Sequence, residues 1–237
     1  MKKKSKKRKK KIDLSKIFLV IVLFTGLALL LYPTVSDWWN SMHQSLAIAS
    51  YQENVADIQK DRYAEIWKAA EEYNKRLFEE PEGYTLSEER MSEYENLLNV
   101  SDTGIMGYIE IPSIDCVLPV YHGTDESVLQ EGAGHLEWTS LPTGGPNTHC
   151  VISGHRGLPS AKLFTNLDQL KEGDIFTLKI LDRTLHYEVD QILTVEPTDT
   201  EALQIEEGQD YCTLMTCTPY GVNSHRMLVR GHRVETQ

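Results

Sequence analysis

The sequence predicts a mostly β protein: a closed or nearly closed β-barrel of seven to eight strands with short helices, preceded by an N-terminal transmembrane helix and an amphipathic helical segment. Three observations lead there. From Gly104 onward, short apolar or alternating runs recur with only brief helical stretches between them. Near the amino end a basic block abuts an uncharged apolar run. Between these regions, Tyr51 to Phe78 contains no Gly or Pro and carries apolar side chains at three-to-four spacing.

In chain order, residues 1–16 form a basic tail with ten Lys/Arg and one acid, Asp13. The net charge of −11 over 237 residues therefore hides a strongly acidic remainder. Residues 17–36, from Ile17-Phe18-Leu19 through Leu31-Tyr32 and on to Ser36, are about long enough to span a bilayer. A cleaved signal peptide has the same order of basic and apolar parts, but Tyr32-Pro33-Thr34-Val35-Ser36 offers no good small-x-small site. A nucleic-acid-binding tail is less economical than a cytoplasmic anchor, and no nucleic-acid partner is expected. The positive-inside rule then makes this a single-pass signal-anchor with its amino end cytoplasmic and the rest extracellular. Trp38 and Trp39 suit the outer interface.

Residues 37–103 are expected to be a helical and linker segment. Residues 37–80 read as helix, with Val55, Ile58, Tyr63, Ile66, Trp67, Ala70, Tyr73 and Leu77 forming a stripe that packs on the following domain. A membrane-proximal stalk or dimerising coil is the alternative, although no strict heptad persists. Pro81-Glu82-Gly83 ends the helix, and a polar acidic linker runs to Asp102.

Residues 104–237 are the expected barrel. Strands are expected at Gly107–Pro112, Cys116–Tyr121, Thr148–Ser153, Asp174–Leu181, Thr184–Val195, Tyr211–Thr216 and Met227–Arg233, with Asp182-Arg183 at hairpin spacing. Asp125–Gln130 and Ser160–Leu170 read as short helices.

Four cysteines, Cys116, Cys150, Cys212 and Cys217, include no CxxC pair and no zinc-like spacing. An extracellular position permits a disulfide among Cys116, Cys150 and Cys212; the simpler reading is three small buried core residues. No EF-hand loop and no HExxH occurs, so neither a metal nor a cofactor is expected.

Cys217 differs from the other three because a strand there gives way to a Pro219- and Gly221-containing turn. A thiol is an effective nucleophile only as thiolate, and it needs an acid/base partner. Arg226, opening the next strand, keeps its charge and can donate several hydrogen bonds to an oxyanion. His155, between Gly154 and Arg156-Gly157, can protonate a leaving amine and deprotonate an incoming one. Each residue alone is a weak signal.

Together they resemble one family. Thr213-Leu214-Met215-Thr216-Cys217 is similar to the TLxTC signature of sortases, the cysteine transpeptidases of Gram-positive cell surfaces. The continuation through Arg226 and Val229-Arg230-Gly231-His232-Arg233 looks like the class C, pilus-assembling branch. Ser153-Gly154-His155-Arg156-Gly157 resembles the family's histidine motif, and Gly107–Pro112 its first barrel strand. The resemblance covers about residues 100–234. It implies that Cys217 attacks the Thr–Gly carbonyl of an LPxTG-type signal and that His155 serves as general acid, then base. Arg226 would hold the substrate and stabilise the oxyanion, with Thr216 bonding near the same carbonyl. The implied partners are LPxTG-bearing pilin or surface proteins and an amine acceptor, a pilin lysine in class C. The match gives His225 and His232 no catalytic role.

Two departures stand out. Class C members commonly carry an Asp-Pro-aromatic lid ahead of the barrel, whereas Glu80-Pro81 and Tyr84 are the nearest pieces here, so no lid over the cysteine is expected. Many pilus sortases have a second span after the barrel; the stop at Gln237 implies either an amino-terminal anchor alone or a truncated chain. Both favour the rival reading of a housekeeping sortase that transfers proteins to a cell-wall peptide amine. A membrane-anchored peptide-binding module with a structural Cys217 is the non-enzymatic alternative.

Overall fold

The computed structural model describes residues 14–100, 103–158 and 160–235. The basic residues 2–11, Asp13 and Asp102 therefore lie outside the described residues. The described chain opens with one helix, α1 (Leu14–Ala56), of 43 residues. It is long and apolar enough to cross a membrane, and among the described residues nothing covers the apolar part. Ile48 and Tyr51 are its buried residues, both in the carboxyl half that lies along the barrel wall.

The expected single helix over residues 37–80 is two helices. α1 stops at Ala56 and α2 spans Lys60–Glu79. The Tyr63 hydroxyl closes the corner by donating to the Val55 carbonyl at 2.5 Å, an acceptor that the helix end leaves open. The bend has a packing cause: a straight helix would carry Trp67, Ala70, Tyr73 and Leu77 away from the barrel. As observed, that stripe joins the barrel core. The expected linker also folds. Ser87 accepts from the Arg90 amide and starts α3 (Glu88–Asn96), which buries Tyr94.

The barrel strands are β1 (Ile105–Ile111), β2 (Cys116–His122), β3 (Ala133–His135), β4 (Thr148–Ser153), β7 (Ile175–Ile180), β8 (Arg183–Val195), β9 (Asp210–Thr218) and β10 (His225–Val234), closed in the order β1-β2-β3-β4-β9-β10-β8-β7. Two short strands, β5 (Arg156–Leu158) and β6 (Ala161–Leu163), form a separate hairpin. α4 (Glu126–Glu131) joins β2 to β3.

Closure at eight strands agrees with the sequence expectation, but the three-residue β3 is too short to show a periodicity. Ser160–Leu170 is not a helix: it contains β6 and a 3-10 turn at Leu167–Gln169. Leu163, Phe164, Leu167 and Leu170 are all buried, so their helix-like spacing is satisfied by a hairpin and turn instead. The β7–β8 turn sits one residue earlier than expected, with Ile180 paired to Arg183.

The barrel has two unlike poles. At one, α2 lies across the starts of β4 and β8. Trp67 Nε1 donates to Asp182 at 2.8 Å and the Arg183 guanidinium stacks 3.9 Å from the Trp67 ring. Asn74 donates to the Leu141 carbonyl and accepts from the Leu141 amide. The ends of β4 and β9 and the start of β10 form the other pole, and α2 leaves it uncovered.

Candidate active site

Parallel β4 and β9 are held in register with Ser153 opposite Met215. Beyond that pair the strands remain stapled: the Gly154 amide donates to the Met215 carbonyl at 3.0 Å, and Thr216 Oγ1 donates to the Gly154 carbonyl at 2.7 Å. His155 follows two residues after the end of β4 and Cys217 lies near the end of β9, so two adjacent strands deliver them to the same pole. Gly154 is required here because a Cβ would stand 2.7 Å from the Phe164 ring. That ring belongs to the turn whose Phe164 amide donates to the His155 carbonyl at 3.1 Å.

On the other side of β9, antiparallel β10 sets Arg226 directly opposite Cys217. The connecting Pro219–Ser224 loop is tight: the amides of Val222 and Asn223 both donate to the Pro219 carbonyl. The Arg226 Nη1 donates to the carbonyls of His225 and Asn223 at 3.2 and 3.4 Å, which steadies the guanidinium with part of its donor fork. Cys217 is half-buried, whereas Cys116, Cys150 and Cys212 are buried and none of the four is disulfide-bonded. Burial pushes the Cys116 thiol up to about 12 and the Cys212 thiol well above its ordinary range, so neither is a plausible thiolate at neutral pH.

All four residues singled out from the sequence therefore meet at one pole. Thr216 is buried and committed to the Gly154 carbonyl, so its visible work is to staple the two strands. His225 stands beside the site but sets its Nε2 3.3 Å from the exposed Glu196 carboxylate. His232 lies opposite Tyr211, near the far end of β9.

Several neighbours of the site were given no role in it by the sequence. Arg156 donates to Thr218 Oγ1 at 2.7 Å and ion-pairs with Asp168, tying the histidine strand to the residue after Cys217. Glu126 on α4 places its carboxylate 3.5 Å from His155 Nε2. A cavity of about 190 Å³ is lined by Leu136, Trp138, Met215, Arg226 and Leu228, and also by Tyr84 from the segment after α2. The Tyr84 ring meets Trp138 edge-on at 5.0 Å, and its hydroxyl accepts from Thr200 at 2.6 Å. Helix periodicity cannot report such contacts, because they join segments far apart in the chain. Among the described residues, no group of three or more His, Cys, Asp or Glu is placed to hold a metal ion.

The sortase domain family matches residues 109–234, which include β4, β9 and β10. Among solved structures, sortase C1 from Streptococcus agalactiae is 53% identical with a TM-score of 0.77, covering 81% of this chain and 99% of its own. Clostridium perfringens sortase C, solved with the C-terminal cell wall sorting motif, is 42% identical with a TM-score of 0.72, covering 81% of this chain and all of its own. Sortase D of Bacillus subtilis is 30% identical over 131 residues, 54% of this chain and 63% of that protein. The match thus spans under two thirds of that relative's length. Its structural neighbours are class C sortases. The family match extends over just over half the chain and takes in every strand that builds the cysteine–histidine–arginine pole, so this protein belongs to the sortase family of cysteine transpeptidases.

Proposed function

We propose that this chain is a membrane-anchored transpeptidase that polymerises pilins. Cys217 attacks the Thr–Gly carbonyl of an LPxTG-type sorting signal. The Arg226 guanidinium donates to the oxyanion, and His155 protonates the departing glycine amine. The resulting thioacyl-enzyme is then attacked by a lysine amine of the next pilin, with His155 as base, which yields an isopeptide link. α1 holds the catalytic pole outside the membrane, with residues 1–16 on the cytoplasmic side.

One observation carries the reading: Arg226 is the cross-strand neighbour of Cys217, while His155 follows two residues after the end of the adjacent parallel strand β4. A nucleophile, an acid/base and an oxyanion donor thus converge at a pole that also holds a partly apolar cavity. The likeness to class C structures favours a lysine acceptor over a wall-peptide amine.

The test uses the full chain in detergent with a fluorogenic LPxTG peptide and either a pilin-lysine peptide or a wall-peptide amine. Wild type is expected to release the C-terminal fragment and join the remainder to the lysine. Cys217→Ala should lose at least about a thousandfold in rate. Arg226→Ala should lose about a hundred- to a thousandfold with its melting temperature little changed. Product with the wall amine alone would overturn the pilin reading, and undiminished product from Cys217→Ala would remove the enzymatic one.

A further inference from the structure

We propose that Glu126 is the docking carboxylate for the incoming primary ammonium, delivering a lysine-type side chain to His155. The inference rests on the lysine-transfer reading above and deepens its second half-reaction.

Two observations at the site support it. His155 Nε2 is buried from water and, among the described residues, meets the hydrogen-bond criterion with no partner, while the Glu126 carboxylate stands 3.5 Å away. Glu126 is 67% exposed, so the carboxylate faces both the histidine and the solvent from which an acceptor arrives. The other nearby acid, Asp168, is occupied by Arg156. Glu126 is also firmly placed. Its side chain accepts from Gln130 at 3.1 Å, and α4 sits on β3 where Gly134 lets Val128 approach. The Gln130 hydrogen bond and the neighbouring His155 hold the carboxyl below the usual range, so it is anionic at neutral pH.

The charge balance suits an ammonium. A lysine-type R–NH₃⁺ docks on Glu126 and gives one proton to the His155 imidazole. The positive charge moves from ammonium to imidazolium while staying beside the same carboxylate, so the transfer incurs little electrostatic penalty. The freed amine bonds the acyl carbon, the carbon–sulfur bond of the thioacyl-enzyme breaks, and the second proton leaves with the Cys217 sulfur. The products are an amide, a thiol and an imidazolium, which returns its proton to water. Water and neutral nucleophiles gain nothing from the carboxylate, so Glu126 biases the thioacyl-enzyme toward transfer over hydrolysis.

The experiment compares two acceptors at pH 7.5 on the full chain in detergent: a blocked peptide with one lysine, and hydroxylamine, which is uncharged there. In Glu126→Gln, the KM for lysine should rise about fivefold relative to that for hydroxylamine, the scale of one exposed ion pair. Glu126→Asp should recover part of that ratio because the charge returns. If the two KM values move together, Glu126 only orients His155 and the proposal is overturned. An unchanged ratio in Glu126→Gln overturns it as well. Wild type that gives no product with lysine overturns the acceptor reading itself, whereas wild type that uses lysine with an unaltered variant ratio sinks this inference alone.

Discussion

At the residue scale, buried polar side chains are specified by the partners that surround them. His149 is buried, donating from Nδ1 to the Gln204 carbonyl at 2.9 Å and accepting at Nε2 from Thr213 at 2.7 Å. A carbonyl can only accept, which assigns the proton to Nδ1. Burial holds the ring neutral and lowers its pKa from 6.5 to about 4. Above about 6.5 both folded and unfolded rings are neutral. As pH falls below that, the unfolded ring binds a proton while the folded ring does not until about 4. Stability should therefore decline by about 3 kcal/mol across this window. Urea unfolding midpoints between pH 7 and 4 test this, and His149→Asn should flatten the part of the slope that belongs to this group. Cys217, His155 and Arg226 were legible in the sequence because turn chemistry flanks each of them. Glu126 and Tyr84 were not, since nothing in their local spacing points to residues 155 or 226.

At the element scale, two side chains decide how the helices seat. Tyr51 is buried between α1 and the barrel; its hydroxyl donates to the Met106 carbonyl at 2.9 Å and accepts from the Leu181 amide at 2.8 Å. Tyr51→Phe keeps the ring but leaves both backbone groups unpaired, which should cost about 2 kcal/mol in chemical denaturation. Asn74 does the same work for α2, with three hydrogen bonds to Leu141 and Thr143. Asn74→Ala should cost about 2–4 kcal/mol, with the fluorescence of neighbouring Trp67 reporting a loosened helix. Seven of the eight barrel strands were legible because each alternates or runs apolar, and their ends lay within one or two residues of expectation. The break at residues 57–59, the short β3 and the β5–β6 hairpin were hidden. Each is set by contact with distant segments, and the apolar spacing of residues 160–170 fits a helix and a hairpin equally well.

At the scale of the whole molecule, one helix links two environments. The amino half of α1 is uncovered and apolar, while its carboxyl half is bonded to the barrel through Asn40, Gln44 and Tyr51. The candidate active pole is thereby tied to the apolar half of α1 by helix rather than by linker. The full chain should co-sediment with lipid vesicles, and replacing Leu23 and Leu27 with Lys should abolish sedimentation while leaving the barrel's melting transition in place, since both side chains are exposed. The two poles differ: α2 covers one end of the barrel, and the other holds the candidate active site.

Read alone, the sequence determined the closed β architecture, the apolar amino-terminal helix and the three residues at the candidate active pole. These follow from periodicity, apolar length and turn residues, which are local properties of the chain. Only the tertiary structure decided that α2 folds back over the far pole, that Tyr84 lines the cavity beside Arg226, and that Glu126 faces His155. Those placements depend on which distant surfaces are buried together, and burial between segments remote in sequence leaves no periodic trace in either one.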